Sequence, residues 1–351
     1  MSARVRDRRR RSGARLRVTA PVAVGLAALI YVAVAMAART LPLSNLVALV
    51  LAASSPYLPL IALLAVVLLV FSRRTLLSLL AVAAMVGTLA VQLPWYYGGR
   101  PADVGAHAQI RVLSSNLLHG HADADFFLDL ADSADVITVS ELTPEAATRL
   151  DDAGIDAAFP YSALVPRPES EGMGLWSRFP LTRLPPSKYE NNFVAVRIQV
   201  PGVRNDPLVS SVHLMSPVAG GANTFEHWRH NIEHTRSELI DYARTAGDAA
   251  VIIAGDFNST VDFRQFRDLL DTGYQDGVRQ TGAGFSPTFS PNHLIPPVIT
   301  IDHVLTRNSA VTSIHTVAIP ETDHRALLAT IAVPFDPWKR RNPATRAGFR
   351  D

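Results

Sequence analysis

Ala250-Val251-Ile252-Ile253-Ala254-Gly255-Asp256-Phe257-Asn258 is the stretch on which the reading of this chain turns. Residues 250–254 are apolar and rich in β-branched side chains, the pattern of a strand. Gly255 ends the run, and two polar residues, Asp256 and Asn258, follow at its tip. The same form recurs along the chain. Residues 110–117 carry Asn116 near their end, 136–140 are followed by Glu141, and 208–214 hold His213. Asp302-His303 interrupts 299–305, and Asp323-His324 precedes 327–333. Residues 172–177 and 193–200 are further strand candidates. Strand ends hold side chains rigidly at one edge of a sheet, where residues distant in sequence converge.

Helix-period segments over 123–133, 144–152, 225–244 and 261–270 lie between these strands. Strands mixed with helices over residues 109–334 predict a sheet-rich α/β or α+β domain. Residues 94–108 turn to Pro, Tyr, Gly and His and read as a linker. Residues 335–351, with Lys339-Arg340-Arg341, read as an exposed tail with no chemistry assigned.

Mean hydropathy is +0.16, high for a wholly soluble enzyme. The excess sits within residues 18–93, as uncharged apolar blocks over 18–38, about 57–71, and 75–93. The first and third have the length of a bilayer-spanning helix. The middle block is shorter; 46–54 extends it upstream, and Pro56 and Pro59 could kink a longer helix or end a re-entrant one. The reading is an anchor of about three transmembrane helices. A cleaved signal peptide is the rival for 18–38, because Ala35-Met36-Ala37 has the small-residue pattern of a cleavage site, but the apolar run is long for one.

Residues 1–17 hold eight Arg, and Arg73-Arg74 separates the second and third blocks. The positive-inside rule places both in the cytoplasm, so three crossings carry the catalytic domain to the extracytoplasmic side of the cell membrane. An arginine tail for nucleic acid is the competing reading of 1–17, and its position directly before a span favours topology. Beyond residue 102 the balance reverses: 21 Lys and Arg stand against 30 Asp and Glu, a net charge of −9. A nucleic-acid binder normally shows a net basic footprint. Cys is absent, which excludes disulfide scaffolds, thiolate metal sites and cysteine nucleophiles.

Asn, Glu, Asp and His gathered at strand ends suit oxygen-ligated metal catalysis, since hard cations such as Mg²⁺ take carboxylate and amide oxygens. Here the sequence becomes specific. Gly255-Asp256-Phe257-Asn258, Ile301-Asp302-His303 and Thr322-Asp323-His324 resemble signature blocks of the endonuclease/exonuclease/phosphatase superfamily, the group of DNase I-like nucleases, sphingomyelinases and inositol phosphatases. Asn116, Ser140-Glu141, Gly174-Leu175-Trp176-Ser177-Arg178 and Val212-His213-Leu214 fall in the same order and approximate spacing. A lone GDFN is a weak signal, whereas the ordered series is a strong one.

The resemblance implies a four-layer α/β/β/α sandwich behind the helical anchor, and a hydrolase acting on phosphoester or phosphoanhydride bonds with Mg²⁺ or Mn²⁺. It implies Glu141 as the main metal ligand, with Asn116 and Asp323 near the ion. Asp302 would orient His324, a pair that helps activate water or stabilise the transition state. Asp256 would position or deprotonate that water, and Asn258 and His213 would hydrogen-bond the non-bridging phosphate oxygens. Two departures bear on substrate: Thr300 stands where relatives often carry Arg, and no phosphate-facing Tyr can be placed.

Each residue also has a plainer reading. Asn116 could be a turn residue, Glu141 a helix cap, and Asp256 with Asn258 an ordinary strand-to-helix connection. His227, His230 and His234 share one helix face and could bind a second metal, although a solvated face is commoner. His119 and His121 follow Asn116 in a loop that begins at the candidate site and could touch substrate, although exposed loop histidines are the favoured reading. Trp176 and Trp228 lie outside any basic, aromatic-interleaved stretch and read as core. Acidity and the anchor point to a phosphate-containing substrate in the membrane, such as a lipid-linked phosphate or pyrophosphate. The arrangement is also similar to membrane-anchored actinobacterial members of the superfamily associated with teicoplanin resistance. A tethered extracellular nuclease is the second choice and a non-catalytic binding domain the third; no obligate protein partner is inferred.

Overall fold

The computed structural model describes residues 19–189, 192–220, 223–292 and 295–337. The arginine-rich residues 1–17 and the basic end of the tail lie outside them.

Uncharged runs of good helix formers make four helices at the front: α1 (Ala20–Thr40), α2 (Leu46–Ala53), α3 (Leu58–Phe71) and α4 (Thr75–Tyr97). Asn45 starts α2 by accepting a hydrogen bond from the Ala48 N–H at 2.9 Å. A 3-10 turn over Ser55–Tyr57, containing Pro56, separates α2 from α3, and the two helices meet at a 41° bend. α1 and α4 are each long enough and apolar enough to cross a membrane, and α2 with α3 adds a third crossing if the bent pair is one span. The outward side chains fit that reading: Ile30, Leu60 and Leu76 are exposed to 64, 65 and 72%. Such a face needs apolar surroundings.

α4 runs through Pro94 to Tyr97, so the expected linker starts later than the proline suggests. Burial of Trp95 and Tyr96 against the following domain outweighs the hydrogen bond that proline removes. The same seam joins α1 and α2 to the domain. Arg39 Nε donates to Asp262 Oδ1 at 2.7 Å, and Gln92 Nε2 to the same oxygen at 3.2 Å. Gln265 exchanges hydrogen bonds with the backbone of Leu43, and the Tyr57 hydroxyl donates to Val298 O. Leu43, Leu49 and Ala52 share one apolar cluster with Trp228 and Phe263 of the domain.

The domain is two sheets packed face to face. The first contains β1 (His107–Asn116), β2 (Val136–Ser140), β3 (Tyr161–Val165), β4 (Met173–Ser177), β11 (Ala310–Ala318) and β12 (Arg325–Pro334), in the order β11-β12-β1-β2-β4-β3. The second contains β5 (Leu181–Arg183), β6 (Phe193–Ile198), β7 (Leu208–His213), β8 (Val251–Asp256), β9 (Gln275–Asp276) and β10 (Asp302–Arg307), in the order β5-β6-β7-β8-β10-β9. Helices α5 (Ala124–Ala131), α6 (Pro144–Asp152) and α7 (Ile155–Ala158) accompany the first sheet; α8 (Thr224–Ala246) and α9 (Arg264–Leu270) cover the second, and α10 (Gly277–Thr281) follows β9.

Alternation along β8 shows how the layers form. Ala250, Ile252 and Ala254 enter the core between the sheets with Val112, Val209 and Ile331. Val251 and Ile253 face the other way, into the cluster of Trp228 and Phe266. Phe127, Leu150 and Trp176 form the matching layer outside the first sheet. Both faces of the inner strands are therefore covered, which is why they read as continuous apolar runs. The result is the expected four-layer α/β/β/α sandwich.

Each sheet has one parallel pair near its centre, flanked by antiparallel neighbours. β1 runs with β2 in the register Asn116↔Ser140, and β7 with β8 in the register His213↔Asp256. The carboxyl ends of both pairs meet at one edge of the sandwich, and that edge holds the polar residues.

Candidate active site

Asn116 ties the two sheets together. Its Nδ2 donates to Glu141 Oε1 at 3.0 Å, at the end of β2, and to Asp256 Oδ2 at 3.1 Å, at the end of β8. Its Oδ1 accepts the Leu118 N–H at 2.9 Å, and the side chain is buried. Glu141 sits at φ +59°, an uncommon conformation for a residue with a side chain. The Glu141 carboxylate is fixed by the His119 N–H, which donates to Oε2 at 2.7 Å.

β7 and β8 approach so closely that a Cβ on Gly255 would lie 2.1 Å from Val212 O, so this position of the quoted stretch admits only glycine. Asp256 follows, buried, accepting the Asn258 N–H at 2.7 Å. Burial, reinforced by Asp302, pushes its carboxyl up to about 6 against the opposing pull of His324 and His213.

Antiparallel pairing of β10 with β8 sets Asp302 opposite Asp256. Asp302 Oδ2 accepts from His324 Nδ1 at 2.9 Å, and His324 directly precedes β12. Burial alone would lower the His324 pKa, but Asp302, Asp256 and Asp323 outweigh it and push it up to about 10. Its Nε2 stands 3.8 Å from Asp256 Oδ2 and 3.9 Å from Asp323 Oδ1. His213 is fixed from behind by Ser170 O, 3.0 Å from Nδ1. A carbonyl only accepts, so Nδ1 carries a proton and Nε2 faces Glu141 and Asp256, both at 3.7 Å.

All eight residues singled out in the sequence, Asn116, Glu141, His213, Asp256, Asn258, Asp302, Asp323 and His324, thus meet in one connected cluster. Six of them line a cleft of about 780 Å³; Asn116 and Asp302 stand behind as buried supports. Asn258 is the most constrained: its Nδ2 donates to Leu214 O at 2.8 Å and to Asp256 Oδ2 at 3.2 Å. A bond from it to a phosphate oxygen requires one of these contacts to be given up, and as it stands Asn258 positions Asp256.

His119 is the residue for which the sequence favours the plainer reading over substrate contact. It is exposed, as a loop histidine is expected to be, yet it lines the cleft with Nε2 3.6 Å from Glu141 Oε2. The signal was its place three residues after Asn116. Among the described residues no tyrosine lines the cleft; Phe289 packs on His324, ring centroids 5.0 Å apart. Thr300 donates to Ser286 O and serves the loop. His227 and His230 are exposed on α8, and His234 stacks on Tyr189. Trp176 and Trp228 are wholly buried.

Four carboxylates, Glu141, Asp256, Asp302 and Asp323, crowd this cluster, an excess of negative charge that suits a hard cation. Asp256, Asp302 and His324 each offer a ligand atom within 4.8 Å of the others. Asp302 and His324 are already hydrogen-bonded to each other. Glu141 and Asp323 line the cleft, with Asn116 beside Glu141.

Solved structures of similar fold are known. The chain resembles D. rerio TDP2 complexed with single strand DNA product, at 15% identity over 64% of this chain and 99% of that one, with a TM-score of 0.50. It is also similar to the endonuclease/exonuclease/phosphatase from Beutenbergia cavernae DSM 12333, at 19% identity over 64% of this chain and 72% of that one, with a TM-score of 0.48. Sphingomyelinase C from Streptomyces griseocarneus shares 16% identity over 64% of this chain and 99% of that one, with a TM-score of 0.47. No curated protein sequence matches the chain. The pattern of the Endonuclease/Exonuclease/phosphatase family matches residues 113–325, the stretch that supplies every residue of the cluster, and the chain belongs to that family.

Proposed function

We propose that this protein is a metal-dependent hydrolase of a lipid-linked phosphate or pyrophosphate, held in the cell membrane by several spans with its catalytic domain on the extracytoplasmic side. The observation that carries the hydrolase reading is the convergence of four carboxylates and two histidines at the carboxyl ends of the two parallel strand pairs. Glu141, with Asn116 and Asp323 beside it, would hold Mg²⁺ or Mn²⁺, which when bound polarises a phosphoryl oxygen as a Lewis acid.

The chain's own groups supply the rest. Asp256, with a carboxyl poised near 6, is ionised at neutral pH and accepts the proton of the attacking water. Asp302 fixes the ring of His324 and keeps it charged, so that Nε2 can donate to oxygens that gain charge in the transition state. His213 presents its Nε2 to the same space, and Asn116 and Asn258 hold the Asp256 carboxylate in place.

Topology is supported by the bundle. The turn at Arg73-Arg74 lies by the start of α1, where Val22 packs with Leu69 and Ala81, at the end away from the domain. The eight Arg of residues 1–17 precede the same end. A reporter active only outside the cytoplasm, fused after Asp351, is expected to be active; a silent but expressed fusion overturns the topology. For the substrate, the net charge of −9 beyond residue 102 disfavours a polyanion, and an anchor raises the effective concentration of anything confined to the same surface. The deciding assay compares the full chain on polyprenyl pyrophosphate in vesicles and on plasmid DNA at one Mg²⁺ concentration. The doubly substituted Asp256→Asn, His324→Ala protein serves as control. Faster plasmid nicking, absent from the control, would make this a tethered nuclease.

A further inference from the structure

The catalytic cleft does not end on the domain. Leu49 and Ala53 of α2 line it together with Glu141, His213, Asp256 and His324. An apolar helix from the front of the chain is therefore a wall of the same cavity that holds the reactive cluster. The remaining wall is divided by polarity: Met215, Pro217, Val218, Ile299 and Ile301 are apolar, whereas Arg167, Glu169 and Glu171 cluster in one polar loop.

The outer face of α2 is as informative as the inner one. Leu46, Val47 and Val50 are exposed to 46, 70 and 60%, and residues 40–72 contain no charged side chain. α2 therefore borders the catalytic cleft on one face and presents an uncharged, apolar outer surface on another. Met215 and Val218, 41 and 62% exposed, put further apolar surface at the rim. The bend at Ser55–Tyr57 fixes α2 against the cleft: it turns α2 by 41° from α3, and the Tyr57 hydroxyl fastens the corner to Val298 O at 2.6 Å.

We infer that the α2 wall is a binding site for the hydrocarbon chain of a membrane lipid, which enters the cleft sideways past Leu49 and Ala53 with its phosphate directed to the Asp256–His324 end. The inference rests on the lipid-phosphate reading above and adds where the tail lies and which residues select it. Its basis is continuity. The occupant must be apolar at one end, against α2, and carry hydrogen-bonding oxygens at the other, beside the imidazoles of His213 and His324, and a membrane lipid phosphate has that division. A nucleic acid has no apolar end for the α2 side and would leave that wall exposed to water. The small side chain of Ala53 is then a gap that admits the tail.

The test uses the full chain in phosphatidylcholine vesicles and pairs of substrates with one head group and different tails. The pairs are undecaprenyl against isopentenyl diphosphate, and dioleoyl- against dibutyrylphosphatidylglycerol. Ala53→Trp narrows the passage, and the ratio of kcat/KM for the long-chain to the short-chain member is expected to fall at least tenfold. A ratio within twofold of wild type overturns the inference while leaving the lipid-phosphate reading standing. A wild-type enzyme that cleaves plasmid DNA or the short-chain compounds but neither long-chain one overturns both. Should Ala53→Trp not fold, the wild type decides: a polyprenyl diphosphate bearing a diazirine on its second isoprene unit should label residues 46–57, and labelling confined to other segments overturns the inference.

Discussion

Strand β10 begins with two neighbouring residues that each complete a buried histidine–aspartate pair, and the pairs are built to opposite ends. Asp302 holds His324 Nδ1 at 2.9 Å, and His303 holds Asp276 through its own Nδ1 at 2.8 Å. The difference lies in the second nitrogen. His303 Nε2 is bonded to Ser259 O at 2.9 Å, and its ring packs 4.3 Å from that of Phe266, so every polar group is satisfied. His324 Nε2 stops 3.8 Å short of Asp256 and faces the cleft. A saturated pair fastens a fold, whereas a pair with one open position can donate to something that arrives. One residue step along a strand, which reverses the face, separates the two uses.

Withdrawing the cation is the largest way to break this comparison. A chelator is expected to take turnover to background, with recovery on adding Mg²⁺ or Mn²⁺, because only the open pair stands with Glu141, Asp256 and Asp323 around it. Glu141→Gln should need more metal for half-activation, measured by titration at fixed substrate; activity indifferent to chelator would place the chemistry elsewhere. Next comes His324→Ala, for which we expect kcat about 10²–10⁴-fold lower with a thermal midpoint near wild type. A variant that unfolds while the remaining native fraction turns over normally would make His324 a second structural histidine.

A pH profile sharpens the contrast at smaller magnitude. The raised pKa of His324, about 10, keeps it charged through the neutral range and lets it lose its proton only as pH rises toward that value. Asp302→Asn removes the strongest support for that charge, so the alkaline limb of kcat against pH should move toward neutrality. Asp276→Asn, acting on the closed pair, should leave the limb in place; equal displacement by both would erase the distinction. The smallest effect is His303→Ala, expected to cost about 2–4 kcal/mol in a denaturant melt by leaving Asp276 Oδ2 and Ser259 O without a donor. Its kcat at 25 °C should change little.

The edges of the sheets explain what could be read from the sequence. The eight strands expected from apolar runs are β1, β2, β4, β6, β7, β8, β10 and β12, all interior. Those without such a signal, β3, β5, β9 and β11, are the four edge strands. An edge strand has one neighbour and exposed positions, as in β3, where Tyr161 and Ser162 are exposed, so its composition drifts toward that of a loop. The candidate site was legible because strand ends announce themselves as a polar residue after an apolar run. Partnerships across the chain were not. Nothing near Asn258 foretells that Leu214 O occupies its amide, and nothing near Arg39 foretells Asp262. These contacts exist only once the register of β7 against β8 and the docking of α1 are set.

That docking bears on how the protein can be handled. Residues 98–106 look like a convenient place to cut, with little regular structure between α4 and β1. Cutting there would strip Leu43, Leu49, Trp95 and Tyr96 from the cluster they share with Trp228 and Phe263. It would also leave Asp262, whose carboxyl burial pushes up and Arg39 holds against that push, without its counter-ion. The truncated product would carry a greasy scar where the helices had been and would collect detergent or its own copies there. Solubilised whole, with the helices still seated, the protein keeps that face covered.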